Sequence, residues 1–317
     1  MKKLPLLAVA ILALSTTGCR NHRNYNIVQE NYIHKYGVPV SKDDWAKEGQ
    51  NGKVVQQDSQ GVTITSSYQA GILHGDTTYS FANTSTIQKR ETYENGQLTK
   101  VCTHYTSGVP YYQECFENQT KAEVTSWYED GTPTYLESYS NGYLIKGEYR
   151  TPENEVESRI QDGHGTRICR SMEGQKVAKE SFQNGSKIER IDFYANGEPK
   201  SVTPFANNLP HGTRLTFLMG GVPNSIEQWV HGLQEGDTVL YQNGARVAKI
   251  PYLRGKKEGV AHYYRDNGEL AEKISWHEGQ MHGPRILFIG ETPVRTEWYL
   301  GDKAVSRANF ERMDCTG

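Results

Sequence analysis

No run of five or more like charges occurs in the chain, whose formal net charge is −2. That absence excludes the electrostatic footprint of a nucleic-acid binder and a polybasic membrane patch. No stretch carries helical apolar periodicity, so no helical domain is expected. Phe and Met are scarce, at 8 and 5 of 317 residues, and hydrophobic residues reach only 36%. With a mean hydropathy of −0.72, a conventional oily core is not expected. The sequence has no Cys-x-x-Cys or His-x₃-His spacing to seed a metal site, no Gly-x-Ser-x-Gly elbow, no phosphate loop and no zinc-protease helix. We therefore expect no catalytic residue, no metal ligand and no cofactor, and read the chain as a non-enzyme. What is abundant is Gly, with 31 residues, and Tyr, with 20. That pairing suggests many turns and exposed sheet faces, the tyrosines giving apolar area with a polar handle. Ten per cent aromatic content speaks against disorder.

The N-terminus has a different character. Lys2 and Lys3 precede an apolar stretch from Leu4 to Leu14, the layout of a secretory signal and too short for a membrane-spanning helix. It ends in Ser15-Thr16-Thr17-Gly18-Cys19. This resembles the lipobox of bacterial lipoproteins, with Thr16 departing from the Leu that family prefers. The resemblance implies a signal peptide over 1–18, acylation of Cys19 (palmitate-type chains), and a tether over 19–44. It also implies export to the bacterial cell envelope, anchored in the outer or the cell membrane. Two or three acyl chains, at about 0.8 kcal/mol per buried CH₂, make such an anchor effectively permanent.

Export permits disulfides. Of the four further cysteines, Cys102 and Cys115 flank a reversal at Ser107-Gly108, which places them on paired strands, facing or one diagonal apart. That placement leaves two outcomes open, a cross-strand disulfide or free, half-buried thiols.

Periodicity governs the rest. Anchors at Tyr68, Tyr93, Phe116, Tyr139, Ile160, Phe182, Phe205, Trp229, Tyr252, Trp276 and Tyr299 recur every 21 to 25 residues. Three residues beyond eight of the first ten stands a glycine: Gly71, Gly96, Gly142, Gly163, Gly185, Gly232, Gly255 and Gly279. About twelve residues in lies a second anchor, such as Tyr105, Tyr128, Tyr194, Tyr241 or Tyr264, followed by turns such as Asp130-Gly131 or Asn267-Gly268. Asn-Gly and Asp-Gly supply the positive φ angles of tight hairpins. Each period is thus two strands and two reversals. The first reversal often takes a longer Gly-x₃-Gly form, as in Gly255 to Gly259. His74, His211 and His282 each precede the second glycine of such a loop, so they are read as loop-shaping residues spaced too far apart to share a metal.

These units resemble the MORN repeat, and more closely the variant of YwqK-type antitoxin-like proteins. The expected fold is all-β: an elongated single-sheet antiparallel meander or solenoid of roughly 23-residue hairpins. About eleven units span 45–299 from Trp45, with 116–172 degenerate and irregular or insert-bearing, and a closing cap follows over 300–317. At about 4.8 Å per strand the array would be on the order of 100 Å long. The functional expectation is a membrane-tethered, non-catalytic binding or scaffold module for an unknown envelope or secreted protein. Alternatives are an antitoxin or immunity role, which the resemblance suggests, and lipid-headgroup or glycan binding.

Overall fold

The computed structural model describes residues 25–314; residues 1–18, expected as a signal peptide, Cys19 and Cys315 lie outside them. Among the described residues 28 strand segments form one sheet in which neighbours in sequence are neighbours in space and every pairing is antiparallel. The chain is the expected elongated all-β meander. No helix among the described residues is long and apolar enough to cross a membrane.

The first reversal of a unit is a two-residue turn with both residues at positive φ, such as Asn95 (49°) and Gly96 (78°). This type I′ geometry matches the twist of the flanking strands. The second reversal keeps this form at Asn243-Gly244 (51° and 78°) but in several other units differs from expectation. Around Gly131 only the glycine has positive φ, Tyr128 N–H donates to Thr132 O (2.8 Å) and Gly131 N–H to Tyr128 O (3.0 Å). This is a three-residue loop closed by a left-handed glycine. The preceding Asp or Asn contributes its side chain instead of its backbone. Asp130, Asn196 and Asn267 accept the N–H two residues on, at 2.8, 3.1 and 3.0 Å. The Gly-x₃-Gly loops are likewise shorter than expected. After the turn at Arg254-Gly255 pairing resumes at once (Leu253 with Lys256, Tyr252 with Lys257), and Gly259 at φ 93° sits in a bulge.

Both ends of the array are built up. Residues 27–34, expected within a tether, form the strand Ile27–His34, paired along Gly52–Asp58. Trp45, expected as a strand anchor, sits on the short helix α1 (Lys42–Lys47). Ser41 caps that helix by accepting Asp44 N–H at 3.1 Å, and this local capping outweighs the repeat register. Trp45 is buried between Tyr32 and Tyr68, closing the first edge of the sheet. At the other end α2 (Arg307–Asp314) lays Phe310 over Trp298 and His282.

The segment 116–172 holds no insertion. Strands Tyr143–Arg150 and Val156–Gln161 are joined by an ordinary reversal, with Thr151 N–H on Glu155 O (2.9 Å) and Asn154 at φ 65° in place of glycine. What the second anchor lost in sequence is replaced inside the sheet. Tyr149 and Ile160, each 1% exposed, pack with Leu144 and Phe182 into the larger of two apolar clusters. The other comprises Ala248, Ile250 and Ala261, flanked by Tyr252, Tyr263 and Trp276.

The hairpin beneath Ile160 tests this packing. Gly165 has φ 140°, and a Cβ there would overlap the Arg159 carbonyl, whereas the space around Gly142 is open. Gly165→Ala is expected to lower stability by about 3 kcal/mol from steric overlap and backbone strain, Gly142→Ala by about 1 kcal/mol from strain alone. Urea unfolding of the two variants beside the parent checks the difference.

Candidate functional site

Two rows of contacts bind each unit to the one before it. On the first-reversal edge seven of the eight repeat glycines donate their N–H to a carbonyl of the preceding reversal. Examples are Gly96 to Leu73 O (2.8 Å), Gly232 to Pro210 O (2.8 Å) and Gly255 to Gln234 O (2.8 Å); Gly71, Gly163, Gly185 and Gly279 act alike. Gly142 has no such bond. The residue before the glycine is captured by a side chain of the preceding unit. Ala70 N–H goes to Asn51 (2.9 Å), Asn95 N–H to His74 Nδ1 (3.3 Å) and His231 N–H to His211 Nδ1 (3.4 Å). Arg254 and Glu278 N–H go to Glu235 and Glu258 (both 2.8 Å). His74 and His211 are therefore loop residues, and carboxylates do the same job in other units. His282 instead packs its ring on Phe310 (5.3 Å). On the opposite edge Tyr105, Tyr128 and Tyr194 donate their hydroxyls to Trp127, Arg150 and Phe217 carbonyls, one unit on.

The inner face carries a feature that the sequence reading missed. A glutamate stands two residues before six of the anchors: Glu91, Glu114, Glu137, Glu180, Glu227 and Glu297. In mid-array these become a chain of alternating charges. Glu137 accepts from Tyr139 (2.6 Å), Tyr149 (2.7 Å) and Arg167 Nη1 (2.9 Å). Arg167 Nε donates to Glu180 (2.6 Å), which also meets Arg190 (2.9 Å) and Lys187 (3.3 Å). Arg190 continues to Asp192 (2.7 Å), which Ser201 completes (2.8 Å). Gly147 makes room for it: it lies across from Glu137, and the Tyr149 ring crosses where its Cβ would stand. The recurring Glu-x-aromatic pattern was one available signal, and His-Gly-x-Arg at Arg167, Arg214 and Arg285 was another; their pairing across strands was not.

Burial pushes the Glu180 carboxyl up, but Arg167, Lys187 and Arg190 prevail and hold it at about 2. Burial works against the Arg167 charge, yet Glu137 and Glu180 on either side raise its pKa well above the ordinary value. Burial and the Glu137 charge also keep Tyr149 protonated far above the ordinary range. Cys169, beside this chain, is pushed up to about 11 by burial and Glu180, which makes its thiol a poor nucleophile. Every charge here has a partner inside the sheet, so the arrangement is cohesive and offers no free acid, base or nucleophile. Among the described residues no three His, Cys, Asp or Glu side chains group to hold a metal ion.

Of the two outcomes open to Cys102 and Cys115, the structure shows free thiols. Cys102 pairs with Gln113 and Cys115 with Lys100, so the two cysteines are one diagonal apart, and both are free. A diagonal separation of roughly 7 Å exceeds the Cβ distance of about 4 Å that a disulfide needs.

Two hollows remain. A groove of about 1050 Å³ on the inner face of the first units is lined by Tyr25, Tyr79, Tyr93 and Tyr111 with Gln56 and Gln88. A smaller one of about 440 Å³ lies at the second-reversal edge among Phe81, Tyr105, Glu129 and Met172.

No family model matches the chain. Among solved structures it is similar to the TcdB2-TccC3-Cdc42 structure, with 10% identity over 84% of this chain and a TM-score of 0.15. It is also similar to a porin-like protein from Bacteroides uniformis, with 9% identity over 89% of this chain and 93% of that one, at 0.16. A third is BamB from Moraxella catarrhalis, with 11% identity over 80% of this chain and 81% of that one, at 0.15. The chain spans about a fifth (21%) of the first of these. At such scores the likenesses carry no argument about function.

The charge chain gives two expectations. A carboxyl with a depressed pKa stabilises the fold above its unfolded value of about 4.3 and loses that contribution as pH falls toward 2. Between pH 5 and 2, at ordinary ionic strength, the parent is expected to lose more stability than Glu180→Gln, as followed by circular dichroism. Arg167→Ala, which leaves Glu137 and Glu180 buried without their shared cation, is expected to cost about 3–5 kcal/mol at pH 7 in urea unfolding.

Proposed function

We propose that this protein is an exported, non-catalytic binding or scaffold module, held at a membrane by acylated Cys19 and engaging a protein partner of the cell envelope. What supports a protein partner is an apolar reversal. Leu218, Met219 and Val222 are 43, 64 and 37% exposed on a turn tip where polar residues are the rule. Met172, 57% exposed, lines the hollow at the same edge with Phe81 and Tyr105. Exposed apolar side chains gathered on one edge mark interaction sites more often than isolated ones do. The inner face suits this less well, since its charges are already spent on holding units together.

One observation favours a second reading. The groove lined by four tyrosines, Gln56 and Gln88, together with the charged pair Lys89 and Glu91, offers the flat apolar faces and polar groups that a glycan takes.

The proposal has a two-part test. Cys19→Ser is expected to move the protein from the membrane to the soluble fraction of the exporting cell, and retention at the membrane would overturn the anchor. A photo-crosslinking residue at Met219 is expected to capture one envelope protein. That product should be absent when the crosslinker is placed at Ile188, an exposed residue near the opposite, first-reversal edge of the sheet. Capture of lipid or of nothing at Met219 would overturn the reading.

A further inference from the structure

Seven Asn-Gly dipeptides occur in the chain, at Asn51, Asn95, Asn141, Asn184, Asn196, Asn243 and Asn267. Such a pair has its own chemistry. The glycine nitrogen, on losing its proton, attacks the asparagine side-chain carbonyl carbon. A C–N bond forms and ammonia leaves, giving a five-membered succinimide. Water opens that ring at either carbonyl to give aspartate or isoaspartate, so the sum is asparagine plus water to aspartate or isoaspartate plus ammonia. Glycine permits it best because no Cβ hinders the approach. Two things prevent it: a hydrogen bond that holds the glycine N–H, and one that holds the carboxamide.

Five of the seven are held. Gly96 and Gly185 donate their N–H to Leu73 O (2.8 Å) and Gly163 O (2.9 Å) of the preceding unit. Gly197 and Gly268 donate to Tyr194 O (2.9 Å) and Arg265 O (2.8 Å), while the Asn196 and Asn267 oxygens are taken by Glu198 and Glu269 N–H. Asn51 has its carboxamide fixed at both ends, by Ala70 N–H (2.9 Å) and Gly49 O (3.1 Å). Asn141-Gly142 and Asn243-Gly244 have neither restraint. Their four residues are exposed, and nothing lies within 4 Å of the Cβ position of either glycine. Gly142 is also the repeat glycine missing from the ladder of reversals, and Asn243 lies in a second reversal, on the other edge of the sheet.

We propose that Asn141 and Asn243 are modification sites, converted to aspartate and isoaspartate spontaneously and selectively in the folded protein. Each conversion adds one negative charge, taking the formal net charge from −2 to −4 when both are complete. The isoaspartate form lengthens the backbone inside a two-residue turn that admits no extra atom. The modified array therefore differs from the new one at one reversal on each edge, in both charge and turn geometry.

The test uses the full-length chain, incubated at mildly alkaline pH, digested, and mapped by mass spectrometry with separation of aspartate from isoaspartate peptides. The expected result is conversion at Asn141 and Asn243 at least about tenfold faster than at Asn95 and Asn184, since a hydrogen-bonded amide must first open. In urea the seven sites are expected to converge to similar rates. Amide hydrogen exchange gives an independent reading: Gly142 and Gly244 are expected to exchange faster than Gly96 and Gly185. Uniform conversion in the folded chain, or earlier conversion at Asn95 or Asn184, would overturn the proposal.

Discussion

The structure depends on one repeated hydrogen-bonding arrangement, in which the backbone N–H groups of a reversal are held by the reversal before it. A type I′ turn needs two residues at positive φ, and at the first of them this chain often has a residue ill suited to it. Ala70, His231, Arg254 and Glu278 all sit near φ 50°. Each costs about 1 kcal/mol that Gly or Asn would largely avoid. The same residues have their N–H groups captured by Asn51, His211, Glu235 and Glu258. The preceding unit thus stabilises the strained turn, and the strained turn presents its N–H only in that geometry. Cohesion of this kind is between neighbours, as in other repeat arrays, and no distant part of the chain is required for it.

A single sheet has little depth, and its inner face solves the problem of burial in two ways. Where side chains are apolar, as around Ile250 and Ala261, small and branched residues fill the space. Where they are charged, from Glu137 to Asp192, each charge meets at least one opposite charge, and Arg167 lies between Glu137 and Glu180. An isolated buried carboxylate is too costly to persist, and only the alternation across strands makes this row tolerable. That alternation fixes register as well, because a slip of one residue would turn every member of the row to the other face. The inner face is thereby committed to the fold, and recognition is left to the reversal edges and the tyrosine-lined groove.

How far the sequence was legible follows from the range of each interaction. Anchors and glycines at a fixed period are local signals, and they located the strands and reversals. Whether Cys102 and Cys115 bond or stay free turned on two residues of register, which depends on the bulge and turn together. The tether expectation failed at Ile27–His34 because a strand outside the periodic array has no repeat to announce it; it forms by pairing with Gly52–Asp58. The loss of the second anchor in 116–172 read as irregularity. In space Tyr149 and Ile160 fill the same interior from different positions. Glu137, Arg167 and Glu180 were not read as a group because they come from three strands, although Arg167 stands two residues after a glycine as Arg214 and Arg285 do, each opposite a glutamate of the next strand.

By itself the sequence determined that the chain is a meander of hairpins: period-two strands and positive-φ turns are properties of a few consecutive residues, and nothing distant is needed to specify them. Tertiary structure alone decided which side chains face one another across strands. That settled which turn residues are strained and held, which charges are paired, which cysteines stay apart and which asparagines are left unrestrained. Those outcomes depend on register and on the unit next door, and a linear period carries neither.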